Sequence, residues 1–400
     1  MSIHYYRRLL TQPRRLWMMR EAIERAVSVG DTVIEIGAGL GTYAIWAARA
    51  GAERVYAVEP ARVAELAQQV IATSGVGDRI QVLHGRIEEI EFPDRADVLI
   101  TEDFAPWLYD SHLHDILLHV RGRLLAENGR VIPGRATLQA APWGGPVPED
   151  VSDPRPEIWL HRAGSGDLEM RDVEGIDFSA LEELLTNEPD PEGIPADGLL
   201  ARPRELFDWD LTTLEPGIHH ARVEWSTDRA GQIWGIGVWA DLELAPGITY
   251  SNVPGGTETS WSQGHFPVDP PLEVSKGTAL SGDVEARTDP NGEVWWRWRL
   301  AETGAHDTFR EGNTFRAIPL DRERLAEISE KGRIPLNRWA AIDAHLLQAL
   351  IEYPLEEAVR RTLDAFPGQA VEAAQLRRRA ARLRESYITY QEHTETDDPS

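Results

Sequence analysis

The sequence predicts an α/β protein in which a parallel sheet flanked by helices precedes an antiparallel β domain and a C-terminal helical region. Three observations support this fold class. Apolar runs alternate with helical patterns from about residue 31 to 126. Residues of alternating polarity follow, most clearly at 232–244 and 293–300, and this period of two is typical of antiparallel strands. Helical periodicity returns after about residue 302, in a chain of 400 residues that is long enough for two or three domains.

The first segment predicts a regular series of strands and helices. The predicted strands are 32–36, 54–58, 80–83 and 97–101, and the predicted helices are 16–29, 42–50, 61–73 and 111–125. Alternation of this kind implies a parallel sheet with helices on both faces. A ligand of such a sheet binds at the carboxyl ends of its strands.

A glycine-rich loop follows the first predicted strand. Residues 33–60 read VIEIGAGLGTYAIWAARAGAERVYAVEP, with Gly37, Gly39 and Gly41 between an apolar run and a helix of small residues. Glycines there let the backbone approach a ligand that a Cβ would exclude. Glu59 ends the next strand, where a carboxylate can accept hydrogen bonds from both ribose hydroxyls of a nucleoside. The pattern predicts a nucleoside site, and nicotinamide-dependent dehydrogenases share this pattern.

The middle and last segments are predicted to form separate domains. We place the domain boundaries at 1–134, 135–301 and 302–400. The middle domain is rich in tryptophan-bearing strands. Within it, residues 177–204 have a helical pattern and then become rich in proline and acidic residues, which predicts an inserted arm rather than a strand. In the last segment one apolar helix face predicts core packing; its residues are Trp339, Ile342, Leu346, Leu347, Leu350 and Ile351.

Composition narrows the class of protein. The chain has no cysteine, which excludes disulfides, thiol nucleophiles and Cys-ligated zinc, and we predict no metal site. No apolar run reaches the length of a membrane span, and the N-terminus MSIHYYRRLL lacks the apolar core of a signal peptide, so we expect a cytoplasmic protein without membrane contact. The formal net charge of −25 disfavours nucleic acid and favours a cationic partner.

Two acidic segments complete a set of motifs that resembles the protein arginine methyltransferases. Glu35, directly before the glycines, and the Gly-Ala-Gly-Leu-Gly spacing resemble motif I of class I S-adenosylmethionine methyltransferases. HGRIEEIEFP resembles the segment whose acidic residue meets the adenine amino group, which implies that role for Glu88. TEDFAPWLYDS resembles the double-glutamate loop of the family. The resemblance therefore implies that Glu102 and Asp110 are catalytic carboxylates, although they lie one residue closer together than the family's pair.

The resemblance extends over about residues 1–300. Leu9-Leu10-x-Gln12-x-x-Arg15 matches the helix that closes over the methyl donor, which implies that Arg15 meets the donor's carboxylate. Trp261 and Tyr6 are implied to line the substrate pocket, and 173–189 resembles the start of a dimerisation arm. The resemblance implies a Rossmann-like methyltransferase sheet, an antiparallel β-barrel-like domain with an inserted helical arm, S-adenosylmethionine as cofactor and a homodimer formed through the arm.

The chain departs from the family at one pair of positions. The family commonly has an Asp on the closing helix and a His in a Thr-His-Trp loop, and this pair is thought to help remove the proton. Gln12 and Ser260 stand there in this sequence. Loss of both partners predicts a changed pocket or a different route for the proton.

These observations predict an S-adenosylmethionine-dependent N-methyltransferase of a protein or peptide, with the arginine guanidinium as the first hypothesis. Two carboxylates can hold a guanidinium by bidentate hydrogen bonds. A primary amine must lose a proton first, so one carboxylate would act as a base. The alternatives are methylation of another amine, such as a modified peptide terminus or a small biosynthetic amine, and a non-catalytic donor-binding scaffold. Residues 335–363 loosely resemble peptide-binding winged-helix modules, but a helical packing or dimerisation element is favoured.

Overall fold

The computed structural model describes most of the chain. The described residues are 3–116, 120–145, 186–256, 261–288, 294–304, 309–314 and 353–367, with single positions between 342 and 380. They form two compact units, one made of Met1–Gly166 and Glu188–Thr314 and the other of Asp167–Asn187 and Phe315–Ser400. None of the helices described is both long and apolar enough to span a membrane.

A five-stranded parallel sheet forms the first part of the first unit. Its strands are β1 (Thr32–Ile36), β2 (Arg54–Glu59), β3 (Ile80–His84), β4 (Ala96–Thr101) and β5 (Leu125–Ile132), in the order β3-β2-β1-β4-β5. Every pairing between them is parallel. The four predicted strands are confirmed to within one residue at each end. β5 was not predicted because it is an edge strand with an exposed middle, so it lacks the apolar run that marks the others.

The helices of this part enclose the sheet. They are α1 (Ile3–Leu10), α2 (Pro13–Ala26), α3 (Thr42–Ala50), α4 (Ala64–Ala72), α5 (Ser111–Asp115) and α6 (Arg121–Leu124). Val33 and Ile34, neighbours on β1, belong to apolar clusters on opposite faces of the sheet, which explains why the strands are almost continuously apolar. The single helix predicted at 111–125 is wrong at its end, because the chain enters β5 at Leu125.

Antiparallel strands form the second part of the same unit. They are β6 (Arg135–Gly145), β7 (Asp190–Glu192), β8 (Arg204–Asp210), β9 (Ile218–Ser226), β10 (Gly231–Ala245), β11 (Ile248–Ser251), β12 (Gln263–Val274), β13 (Ala279–Thr288), β14 (Val294–Glu302) and β15 (Arg310–Asn313). One sheet has the order β7-β12-β10-β6-β8, with β11 on β10, and the other has the order β15-β14-β13-β9. Tryptophans fill the space between the sheets; Trp298 stacks on Phe266 with ring centroids 5.0 Å apart. The predicted α/β sheet followed by an antiparallel β domain is confirmed.

The predicted arm at 177–204 differs from the structure in one respect. Residues 177–185 lie outside the described residues. Among those that follow, β7 pairs with β12 over Gln263–His265, so a short strand is present where none was predicted. Three residues that include Pro191 are too few to show an alternating pattern.

The second unit contains a small apolar core of its own. Helix α7 (Leu355–Ala365) contributes Ala358 and Val359, which are buried in a cluster with Ile342, Leu346 and Leu350. The predicted apolar face is confirmed at these last three residues. Trp339, Leu347 and Ile351 lie outside the described residues. The winged-helix interpretation stays a prediction.

Candidate functional site

A cavity of about 220 Å³ opens at the carboxyl ends of β1, β2 and β4. Helix α1 and the start of α2 cover it, and the β domain contributes one wall through Trp261. Eight of the predicted site residues line it: Tyr6, Arg15, Glu35, Gly37, Gly39, Glu59, Glu102 and Trp261. Gly41, Glu88 and Asp110 are not among its lining residues. The structure thus brings together groups that lie far apart in sequence.

The glycine loop turns sharply between β1 and α3. Gly37, Gly39 and Gly41 have φ values of +72°, +55° and +76°, which side-chain-bearing residues rarely adopt. A Cβ on Gly41 would lie 2.7 Å from Cδ1 of Ile71. Gly41 therefore serves the packing of α3 against α4, whereas Gly37 and Gly39 border the cavity.

Glu35 binds the backbone that follows this loop. Its side chain is buried, and its Oε2 accepts a hydrogen bond from the backbone N–H of Ala44 at 2.7 Å, in the first turn of α3. The pKa of Glu35 is raised to about 8, first by burial and then by the nearby charges of Glu102 and Glu59, despite this hydrogen bond. The structure places Glu35 in the cavity wall as a partner of the protein's own backbone.

Glu59 lies at the end of β2 with both carboxylate oxygens engaged. Oε2 accepts from the N–H of Gly39 at 2.9 Å, and Oε1 accepts from the N–H of Ala61 at 2.7 Å. An ionised carboxylate offers about four acceptor positions, so each oxygen retains capacity for a hydroxyl. These contacts fix the carboxylate against the glycine loop.

Glu88 lies at the same edge of the sheet but outside the cavity lining. It belongs to a 3₁₀ turn, Ile87–Glu89, four residues beyond the end of β3. Its Oε2 lies 3.4 Å from Nε of Arg86. β3 pairs with β2, and His84 is opposite Glu59, so Glu88 follows the strand next to the one that ends at Glu59.

Glu102 is held by two side chains from different elements. Nε of Arg15 donates to its Oε1 at 2.5 Å, and Nη2 of Arg15 pairs with its Oε2. The hydroxyl of Tyr43 also donates to Oε2. The side chains of Arg15 and Glu102 are 9% and 10% exposed, so this bidentate pair is shielded from water and strongly oriented.

The pKa values of Arg15 and Tyr43 are both shifted by their contact with Glu102. Burial alone would lower the pKa of Arg15, but the charge of Glu102 and the hydrogen bonds to it outweigh that effect, and the pKa is raised. The pKa of Tyr43 is raised well above its ordinary value, first by burial and then by the negative charge of Glu102. Arg15 therefore stays cationic, and the hydroxyl of Tyr43 stays protonated and acts as a donor.

Asp110 is directed away from the cavity. Its Oδ1 accepts from the N–H of Leu113 at 2.8 Å, which caps the N-terminus of α5. Asp103 lines the cavity instead; its Oδ2 lies 4.0 Å from where a Cβ on Gly37 would be. Of the acidic residues in the segment 101–111, the structure thus places Glu102 and Asp103 in the cavity lining, and Asp110 outside it.

Aromatic side chains close the cavity on two sides. Tyr6 is the buried residue of α1, and its Cε1 would lie 3.1 Å from a Cβ on Gly39. Trp261 packs against Phe104 and Tyr250, with ring centroids 4.9 and 5.4 Å apart. These contacts agree with the predicted pocket positions of Tyr6 and Trp261.

The sequence analysis did not single out Tyr43 and Asp103, which line the cavity. For Tyr43, a bulky hydroxyl-bearing ring among small residues beside a glycine loop was a usable signal. Gln12 precedes α2 without a side-chain cap, and Ser260 lies outside the described residues.

Comparison with known proteins gives matches over both parts of the first unit. Residues 33–129 match the methyltransferase domain family, and 168–299 match the arginine methyltransferase oligomerization subdomain. The chain is 32% identical over 283 residues to probable protein arginine N-methyltransferase 6 of Arabidopsis thaliana, covering 68% of this chain and 61% of that protein. It is 28% identical over 264 residues to protein arginine N-methyltransferase 6 of Xenopus tropicalis, covering 64% of this chain and 74% of that protein. The chain thus spans about three fifths of the Arabidopsis relative.

Solved structures share the fold. The PRMT1 enzyme-prozyme heterotetrameric complex of Trypanosoma brucei, solved with AdoHcy, matches with a TM-score of 0.63 and 20% identity over 76% of this chain and 96% of its own. Arabidopsis thaliana protein arginine methyltransferase 10 matches with a TM-score of 0.61 and 20% identity over 78% of this chain and 98% of its own.

Proposed function

Because the chain belongs to the protein arginine methyltransferase type of class I S-adenosylmethionine-dependent methyltransferases, we propose that it methylates a nitrogen of a protein or peptide, with the arginine guanidinium as first substrate. The observation that carries the proposal is the position of Glu102. It directly follows β4 and lies in the cavity that the glycine loop and Glu59 also line, which supports one space for a nucleoside and for a carboxylate that binds a cationic nitrogen.

The cavity fits the methyl donor by its polar groups. Gly37 and Gly39 give room for the methionine part, Glu59 has acceptor capacity for the ribose hydroxyls, and Arg15 can pair with the donor's carboxylate. Glu88 is proposed to accept from the adenine amino group. S-adenosylmethionine, when bound, supplies a methyl group on a sulfonium sulfur. Glu35 and Gly41 are assigned to the shape of the loop.

Glu102 is proposed to orient the nucleophilic nitrogen. Its carboxylate can accept two hydrogen bonds from a guanidinium and draw the positive charge away from the attacking nitrogen. With the methyl donor bound, the nitrogen lone pair would form the new N–C bond as the methyl–sulfur bond breaks to leave S-adenosylhomocysteine, and the nitrogen would pass its proton to a carboxylate of the cavity or to water. Orientation of this kind contributes several kcal/mol to the lowering of the barrier. Asp103, the neighbour of Glu102 in the cavity lining, is one candidate for the second carboxylate, and Asp110 is the one that the family resemblance indicates.

Substitution of these carboxylates tests the proposal. Glu102→Gln is expected to lower methyl transfer from labelled S-adenosylmethionine into an arginine-rich peptide by about 100-fold or more, and to leave S-adenosylhomocysteine binding intact, because Arg15 remains. Asp103→Asn is expected to lower transfer more than Asp110→Asn, whose main effect would be a weaker helix cap. Turnover unchanged in Glu102→Gln would overturn the site assignment, and a larger effect in Asp110→Asn would restore the family's pair.

The product distinguishes the substrate classes. Mass spectrometry of the labelled peptide locates the methyl group, and a peptide with lysine or a free terminus in place of arginine serves as competitor. Label on arginine supports the first hypothesis, whereas label on another amine supports the alternative. Donor binding with no labelled product from either class would favour a non-catalytic scaffold.

The proposed assembly is a homodimer. The match of residues 168–299 to an oligomerization subdomain supports self-association, and we assign the contact to the arm at about 177–204. A cationic protein or peptide is the proposed substrate because the formal net charge is −25.

A further inference from the structure

Tyr43 is a buried tyrosine of the cavity that the proposed function does not use. It lies in the first turn of α3, directly after the glycine loop, and lines the cavity. Its hydroxyl donates to Oε2 of Glu102. We propose that Tyr43 is a positioning residue: its hydroxyl holds Glu102 in the substrate-binding orientation once the donor's carboxylate has engaged Arg15. This inference rests on the proposed function.

Arg15 cannot serve both carboxylates with the same donors. Its Nε and Nη2 pair with Glu102, and its Nη1 donates to the backbone oxygen of Leu9 at 3.4 Å. A guanidinium has five N–H donors in a fixed plane. A donor carboxylate that binds the Nε–Nη2 edge of Arg15 displaces its contact with Glu102, whereas one that binds the Nη1–Nη2 edge leaves that contact in place. When the Nε–Nη2 edge is taken, the hydroxyl of Tyr43 is the contact that still orients Glu102.

A neutral hydroxyl suits this task better than a second cation. Arg15 neutralises Glu102 and competes with a cationic substrate for the same oxygens, whereas Tyr43 leaves the carboxylate charge in place. The hydroxyl occupies one acceptor position on Oε2, and an ionised carboxylate has about four. Oε1 and the rest of Oε2 are then available for the two parallel hydrogen bonds of a guanidinium.

The ring of Tyr43 is held firmly enough to place its hydroxyl. Tyr43 is 7% exposed and belongs to the main apolar cluster of the first unit. It packs against Trp46 with ring centroids 5.6 Å apart. Burial and the charge of Glu102 both raise its pKa, so the hydroxyl remains a donor at neutral pH and is not a base.

Tyr43→Phe tests the inference because it removes the hydroxyl and keeps the ring. We expect kcat/KM for the peptide to fall by about tenfold to a hundredfold, which corresponds to the loss of one hydrogen bond to a charged group. The Kd for S-adenosylhomocysteine is expected to stay within about twofold of wild type, because Arg15 and Glu59 are unchanged. The loss is expected mainly in kcat rather than in KM, because the ring of Tyr43 and the charge of Glu102 are unchanged and only the orientation of the carboxylate is lost.

Tyr56→Phe is the matched control. Tyr56 is a buried tyrosine of β2 whose hydroxyl accepts from Nη1 of Arg54 at 3.3 Å, and it does not line the cavity. Its substitution also removes one hydroxyl contact, so any general effect of such a loss appears in both variants. Both kcat and KM are expected to be unchanged in the control.

The outcomes separate this inference from the proposed function. An active wild type with kcat and KM unchanged in Tyr43→Phe would overturn the positioning role alone. A wild type that transfers no methyl group to any nitrogen tested would overturn the proposed function and this inference with it. Loss of donor binding in Tyr43→Phe would show a structural role and also contradict the inference.

Discussion

Glu35 carries a carboxylate where burial opposes its charge. Its pKa is about 8 in the folded protein against an ordinary value of 4.5, so between these values the folded state binds more protons than the unfolded state. The protonated side chain therefore contributes to the free energy of unfolding at low pH. This contribution is lost as the pH rises toward 8, by at most about 1.4 kcal/mol per pH unit. We expect the free energy of unfolding of wild type to fall from pH 5.5 to 7.5, and Glu35→Gln to lack this component.

Urea unfolding at three pH values measures the effect of Glu35. The amide keeps the size of the side chain and an oxygen that can accept from Ala44, so the comparison isolates the titration. Equal slopes of unfolding free energy against pH in the two proteins would show that Glu35 does not titrate in this range.

The sequence predicted much of the site because its chemistry is local to short motifs. Gly37, Gly39 and Glu59 lie at strand ends, and parallel strands bring such ends together. The contact between Arg15 and Glu102 was not predicted, because both had been assigned to separate ligands. Tyr43 depends on a side-chain direction across two elements, which motif spacing does not encode.

Helix α1 is attached to the rest of the protein by little buried surface. Tyr6 is its buried residue, yet the helix covers the cavity over the glycine loop. An element with so few buried contacts opens locally at low cost in free energy. We therefore expect Tyr6→Ala to undock α1. If the docked fraction falls to about a tenth, the Kd for S-adenosylhomocysteine rises about tenfold.

Hydrogen exchange separates undocking of α1 from general destabilisation. Amides of α1 are expected to exchange faster in Tyr6→Ala, while those of α3 are unchanged. His4→Ala, an exposed substitution on the same helix, is the control and should change neither exchange nor donor binding. Normal protection of α1 in Tyr6→Ala would mean that other contacts hold the helix.

Elements were predictable where burial on both faces makes a strand apolar along its whole length. β1, β2 and β4 meet that condition, whereas β3 is an edge strand that was predicted from its apolar residues Ile80, Val82 and Leu83. The predicted ends of all four strands agree with the structure to one residue. β5 and β7 lie at sheet edges, where half of the residues face solvent or the strand is very short. β10 lies inside its sheet, between β12 and β6. Its alternating pattern of apolar and polar residues was sufficient to predict it.

At the level of the whole molecule, order along the chain determined what the sequence could predict. The parallel sheet and the antiparallel strands follow one another without interleaving, and the cavity draws on α1, α2, the sheet and the start of β12 within a single unit. The second unit has its own apolar core but few motifs, so its role stays a prediction. In this unit the basic residue Arg377 forms an ion pair with Glu356, so its charge is paired on the helix surface.

The overall charge of the protein predicts how substrate binding responds to salt. A formal net charge of −25 attracts a cationic peptide over distances that salt screens, since the Debye length falls from about 10 Å at 0.1 M to about 3 Å at 1 M. We expect KM for an arginine-rich peptide to rise several-fold between 50 and 500 mM salt, with kcat nearly constant, because bound contacts at Glu102 are shielded. A peptide with one arginine and no net charge is the control, and its KM should change little. Equal salt dependence for the two peptides would mean that recognition is confined to the cavity and that the acidic surface does not contribute.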